Sequence, residues 1–307
     1  MLRRAQWWTG VPVLVIALCA ACTTTSAEQE STTPTPALDE ARARYLASGT
    51  LDDAIWVGRQ LGYLGRFAEA IEHYSSELAR RGAEPHLLRH RGHRFISLRR
   101  FDEAINDLKS ARVLAMGLAT EIEPDGIPTP AGPRTTLQGN ILYHLALAQF
   151  LDGQLEGARR SWQEAVQAAA NDDDLVSALY WLTITMWEVG DASGAARALA
   201  LVRTDWDVRE NFTYAALLKL FAGVVTAAQW DAGPMYFGKD VDDATLGFGR
   251  AMFARHVQHD EKRARSLLTE TVRLPARSAF GFIAAEAVLA RASASDLPVA
   301  PDARKRP

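Results

Sequence analysis

Between residues 51 and 116, small and apolar positions recur at a spacing of 34. Gly58 returns as Gly92, Leu61 as Phe95, Phe67 as Phe101, Glu69 as Glu103, Ala70 as Ala104 and Ile71 as Ile105. Within each copy the small residues are flanked by bulk: Leu61, Phe67 and Tyr74 in the first, Phe95, Phe101 and Leu108 in the second. Two helices cross closely only where a side chain at the contact is small and large neighbours fill the flanks. A period of about 34 with that arrangement predicts stacked antiparallel helical hairpins.

The pattern continues with less fidelity. A third hairpin is predicted over about 140–168, with Leu142, Leu145 and Ala146 on its first helix, Asp152-Gly153 at the turn, and Ala158, Trp162 and Ala165 on its second. A fourth covers about 174–202, with Leu179 and Leu182, the turn Gly190-Asp191, then Ala195, Leu199 and Val202. Past Asp205 the repeat decays. A helix over about 210–225 precedes a loop through Gly233-Pro234 and a hairpin over about 245–272, with Ala264 and Leu268 at its small and bulky places. A last amphipathic helix over about 276–292 is placed to cap the stack. The predicted fold class is all-α: over 38–297, a right-handed solenoid of about four recognisable repeats, degenerate C-terminal hairpins and a capping helix. One insertion interrupts it. The turn residues Arg99 and Gly153 are 54 apart, and the excess falls in 117–138, with Pro124, Pro128, Pro130 and Pro133. Long excursions in compact domains are often functional, so this one reads either as a flap over the groove or as a covalent spacer.

The spacing from Gly58 to Ile71 resembles the tetratricopeptide repeat, whose helices pack through small residues at the eighth and twentieth positions. The chain also looks like a group of uncharacterised bacterial proteins of that kind, through His90-Arg91-Gly92-His93-Arg94 and Pro124-Asp125-Gly126. The resemblance is close over 51–116, looser over 139–203 and poor beyond. It implies a scaffold that binds a protein or peptide along a concave face lined by the first helix of each hairpin. Carried onto this chain by the small-residue register, that face presents Arg59 and Tyr63, then Arg89 and His93, then Tyr143 and Phe150, then Tyr180 and Trp187. Such a surface is basic at one end and aromatic at the other, and Arg, Tyr and Trp are the residues most often found at binding hot spots.

The first 37 residues follow a different logic. Arg3 and Arg4 precede a short apolar stretch, and Ala20-Ala21 leads into Cys22. The run from Trp7 to Ala21 falls short of the roughly 20 apolar residues a spanning helix needs, so 1–21 is predicted to be an export signal. The order resembles a bacterial lipoprotein signal with Cys22 as the lipidated residue, although Cys19 stands where Leu is commonest. Cys19 and Cys22 are the only cysteines, so cleavage leaves one thiol, the one to be acylated. Several acyl chains anchor stably where a single chain does not. By the same resemblance Thr23, rather than Asp, after Cys22 points to the outer membrane facing the periplasm. Residues 22–37, rich in Thr, Ser, Glu and Pro, read as a disordered tether, and 298–307 as a disordered tail.

Charge and chemistry narrow the function. Net charge is −3, and without Arg3 and Arg4 the basic count falls from 34 to 32 against 37 acids. Nucleic-acid binding, which wants a strongly basic domain, is therefore not predicted. The chain carries no Gly-rich phosphate loop, zinc-protease pattern or nucleophile elbow, so neither an enzyme nor a cofactor is predicted. Seven arginines but only one acid, Glu84, lie between Arg80 and Arg100. Arginine pairs carboxylates and phosphates bidentately. The patch therefore offers an alternative function, binding an anionic envelope ligand such as a cell-wall glycan or lipid headgroup, unless its arginines serve Glu69, Glu72 and Glu103. His86, His90 and His93 share a helical stripe and form a metal candidate. Arg89, Arg91 and Arg94 around them oppose a dication, so no metal is predicted. The run Asn171-Asp172-Asp173-Asp174 lacks the Gly and distal Glu of a calcium loop and reads as an acidic helix start.

Overall fold

The computed structural model describes residues 35–123, 132–232 and 240–295. Within them, helices account for all regular structure except one antiparallel bridge between Ile122 and Thr136. Helix α1 (Pro36–Ser48) opens the fold. The first hairpin is α2 (Leu51–Tyr63) with α3 (Phe67–Arg81), and the second α4 (Pro85–Ser97) with α5 (Phe101–Ala115). The third is α6 (Leu137–Leu151) with α7 (Leu155–Ala168), and the fourth α8 (Asp172–Glu188) with α9 (Ala192–Leu199). Next come α10 (Phe212–Phe221) and the short α11 (Ala227–Ala232). A further hairpin, α12 (Asp240–His256) with α13 (Glu261–Thr271), precedes α14 (Phe280–Ser295).

The small-residue contacts fall where the period requires. A Cβ on Gly58 would lie 2.2 Å from Cζ of Tyr74, and one on Gly92 2.8 Å from Cγ of Leu108. Both partners of the first contact recur 34 residues later, so the sequence repeat is a repeat of contacts. The turns keep the same register: Gly65, Arg99, Gly153 and Gly190 all take positive φ. At Arg99, with φ of 61°, this left-handed backbone costs about 1 kcal/mol.

The first helices of the hairpins, α2, α4, α6 and α8, stack side by side, and α10 and α12 continue the row. They form an inner wall, with the second helices outside it. Helices α6 and α8 are apolar nearly all the way round and buried on nearly every face, as expected of helices packed on both sides. Between them lies the centre of the core. Trp162 and Trp181 stack there with rings 7° from parallel, and Phe150 and Phe248 pack against Trp181.

The last helix covers α12 and α13 and also reaches back to α6. Its backbone approaches α12 so closely that a Cβ on Gly281 would lie 2.4 Å from the carbonyl oxygen of Ala244. Arg99, in the turn of the second hairpin, donates to Glu286 at 2.7 Å and to the carbonyl of Arg277 at 2.7 Å. Arg291 donates to the carbonyl of Phe150 at 3.2 Å. The stack thus curls until its end meets its second and third hairpins.

Two irregular segments are held by buried carboxylates. The flanks of the 117–138 insertion run together through the Ile122–Thr136 bridge and send Glu123 inward. Residues 124–131, including Pro124, Pro128 and Pro130, lie outside the described residues, as do Cys22 and Gly233-Pro234. Asp173, fully buried, accepts from the backbone N–H groups of Arg209, Glu210 and Asn211 at 2.9–3.1 Å, and from Arg134 at 3.0 Å. Asn171 caps α8 by accepting from the Asp174 N–H. The acidic run therefore starts a helix, as predicted, and in addition pins the loop before α10.

Candidate functional site

The inner wall borders a half-open cavity of about 400 Å³ between α2, α4, α6 and α8, flanked by Glu210, Asn211 and Tyr214 and by Phe280 of α14. Its basic end is built by α2 and α4. Arg59 comes from α2 and Arg89, His90, His93 and Arg94 from α4. Its other end carries Asn140 of α6, Asp174 and Ser177 of α8, and Glu210 and Asn211 from the pinned loop. Rings of Tyr63, Tyr143, Tyr214 and Phe280 complete the lining.

The three arginines differ in what holds them. Arg59 lies 4.7 Å over the Trp56 ring and donates to the hydroxyl of Tyr63. Arg89 pairs with Glu123 at 3.0 Å and bonds His90 Nδ1 at 2.8 Å, and Glu123 also accepts from the amide of Asn140. Arg94 makes no hydrogen bond or ion pair among the described residues; its guanidinium lies 5.6 Å over the ring of Phe67. Room for it is made by Gly62, where a Cβ would come within 2.3 Å of Arg94 Nη1. Burial lowers the Arg94 pKa to about 10, and the charges of Arg89 and Arg59 push the same way.

The neighbouring histidines are neutral. Burial, reinforced by Arg89 on His90 and His144 and by Arg94 on His93, holds His90 and His93 well below the usual imidazole range and His144 at about 3. Burial raises Asp174 to about 6, with adjacent Asp173 acting in the same direction. The basic end therefore owes its charge to guanidinium groups, and Glu123 offsets that of Arg89.

The remaining arginines of the 80–100 stretch are consumed locally. Arg80 and Arg81 pair with Glu77, Arg91 with Asp107, Arg99 with Glu286 and Arg100 with Glu103. Of the three predicted acidic partners, Glu103 is used by this stretch, whereas Glu69 pairs with Arg66. The histidine stripe also disperses. His86 bonds Glu84 and Glu121, His90 stacks on Tyr74, and His93 packs against His144 and Phe280. Among the described residues no three His, Cys, Asp or Glu side chains form a group that would hold a metal.

Arg59, Tyr63, Arg89, His93 and Tyr143 of the predicted face meet in this cavity. The other three do not. Phe150 and Tyr180 are 0% exposed in the core, and Trp187 stacks on His256, 5.4 Å away. The register placed these aromatics on first helices correctly, but α10, α12 and α14 pack where an open groove would expose them. The all-round apolarity of α6 and α8 was the available signal that both of their faces are covered. Register also passed over Arg94, Asn140, His144, Asp174 and Asn211, which reach the cavity through helix stacking and the pinned loop. No stretch of local sequence joins them.

The fold and cavity define a helical-repeat protein with a half-open, arginine-lined site. No family model matches the chain, and no curated protein matches it. Among solved structures it is similar to a tetratricopeptide repeat protein from Parabacteroides merdae, at 12% identity and TM-score 0.47, over 82% of this chain and 91% of that one. It is also similar to YrrB, described as a TPR protein with an unusual peptide-binding site, at 14% identity and TM-score 0.42, over 81% of this chain and 100% of that one. No helix of the described residues is long and apolar enough to cross a membrane.

Proposed function

We propose that this chain is a non-catalytic helical-repeat binding module that holds a partner by an anionic group inserted into the cavity of its inner wall. In this reading the export signal and Cys22 fix it by lipid to the bacterial envelope, at the outer membrane facing the periplasm, and residues 22–37 carry the fold off the bilayer. The observation that carries the binding reading is Arg94. A partly buried guanidinium without an ion-pair partner is costly to hold, and that cost is offset when a ligand supplies the counter-charge.

Because core and α14 occupy the aromatic half of the face, contact is confined to the half holding Arg59, Tyr63, Arg89, His93 and Tyr143. This favours the anionic-ligand reading of the arginine-rich hairpin over a peptide laid along the whole face. A protein partner fits the same site through an acidic side chain or terminus that reaches the cavity. Acetate, formate and inorganic phosphate should each raise the melting temperature of the full chain saturably, beyond chloride at equal ionic strength. Arg94→Met should remove that response. A chain indifferent to all three anions would exclude the proposal. Incorporation of labelled palmitate, lost on Cys22→Ala, tests the anchor.

A further inference from the structure

A bare anion would use only part of the cavity. Besides its arginines the lining presents several acceptor oxygens. Asp174 receives the Ala170 N–H at 3.3 Å and the Asn171 amide at 3.0 Å, both on Oδ2. Its Oδ1 receives no hydrogen bond among the described residues. Asn140 and Asn211 each give one amide N–H, to Glu123 and to the carbonyl of Asp173 respectively. Their carbonyl oxygens likewise accept none among the described residues. Glu210 adds a carboxylate to the lining. A carboxylate or phosphate alone would satisfy Arg94 while facing acidic and carbonyl oxygens that repel it.

A ligand that fits both ends carries one negative charge and several hydroxyl donors. The lining also offers aromatic rings, those of Tyr63, Tyr143, Tyr214 and Phe280, and such surfaces accept the C–H faces of a saturated ring. The volume lies near the lower end of that of small-molecule sites, while even a bare helix is 10–12 Å across. Three neutral histidines beside the arginines bring no further positive charge, so the guanidinium groups alone answer the anionic part of a ligand.

We propose that the cavity is a site for an acidic sugar, a polyhydroxylated ring carrying one carboxylate or phosphate, with that group on Arg94 and hydroxyls donating to Asp174, Asn140 and Asn211. The inference rests on the anion-binding reading above and adds the ligand class. The carboxylate form corresponds to an acidic residue of an envelope glycan, and the phosphate form to a free sugar phosphate.

Calorimetric titration of the full chain tests it with glucuronate and N-acetylmuramate for the first source, glucose 6-phosphate for the second, and glucose, acetate and glutamate as comparators. At least one acidic sugar should bind at least about tenfold more tightly than glucose or acetate, the span of a hydrogen bond to a charged group. Whichever acidic sugar binds best identifies the source. Arg94→Met should remove that preference without lowering the melting temperature, because it removes an uncompensated charge. Asp174→Asn should weaken the acidic sugars without weakening acetate. Acetate binding as tightly as the sugars would overturn the ligand class and leave the anion site standing. Glutamate binding more tightly than any sugar would overturn it too, by assigning the acceptors to an ammonium group. Absence of all anion binding would remove both readings.

Discussion

A glycine can hold a contact as firmly as a large side chain does. At Gly58 the missing Cβ is the space occupied by the Tyr74 ring, which is buried and donates to the carbonyl of Ile55 at 3.2 Å. That ring stacks on His90 and has little freedom to withdraw. Gly58→Ala should therefore cost about 2–3 kcal/mol, the upper part of the range for overpacking. Gly92→Ala meets only the flexible end of Leu108, further away, and should cost less. Urea denaturation of the two variants makes the comparison, and equal losses would contradict it. Both glycines were legible as repeat positions. Gly62 was not, because its role is to admit Arg94 from the next hairpin, and no repeated partner marks it.

Among the elements, two attachments decide the shape of the site. Asp173 holds the loop that supplies Glu210 and Asn211 to the cavity. Asp173→Ala would leave three backbone N–H groups and Arg134 without their acceptor, and should destabilise by about 3 kcal/mol. Amide exchange at 209–211 should quicken in the same variant; unchanged protection there would show that the loop is held by other means. The second attachment is α14. At Gly281 an added Cβ meets backbone rather than a side chain that can turn away, so Gly281→Ala should lift α14 from α12. Limited proteolysis of the full chain should then cut the 272–279 linker faster than in wild type. Arg99→Ala, which removes the ties to Glu286 and the Arg277 carbonyl, should have the same effect to a smaller degree. The helix itself was expected from its amphipathic pattern, along with its cover of the last hairpin. Its return to α6 was not, since that contact joins residues some 140 apart.

At the scale of the molecule, the buried histidines make stability depend on pH. His90, His93 and His144 stay neutral in the folded chain, whereas unfolded they titrate near 6.5. Below that pH the unfolded chain binds more protons, so stability falls with falling pH, by up to about 1.4 kcal/mol per unit for each histidine. Asp174 opposes this between about pH 6 and 4, because its raised pKa keeps a proton on the folded form. Glu77 acts later. Burial raises its pKa, but bonds from Arg80, Tyr45 and Arg81 outweigh that and hold it at about 2, so its contribution is lost between roughly pH 4.5 and 2. The urea midpoint should drop steadily from pH 6.5 to 4.5, and His144→Gln should make that drop shallower. A flat profile in the wild type would mean that these imidazoles are open to water.

Periodicity alone determined the hairpins, their turns and the small-residue contacts, because each hairpin forms from residues within about 34 positions and each stacks on its neighbour through the same places. The resemblance to the tetratricopeptide repeat, carried by that register, implied the inward placement of Arg59, Tyr63, Arg89, His93 and Tyr143. Only the tertiary structure decided what that inner wall faces. The curl of the stack, the return of α14 and the pinning of 203–211 arise from contacts between residues far apart in the chain, which leave no period to read. Those contacts bury Phe150 and Tyr180, leave Arg94 without an ion pair among the described residues, and narrow an expected open groove to a half-open pocket at its basic end.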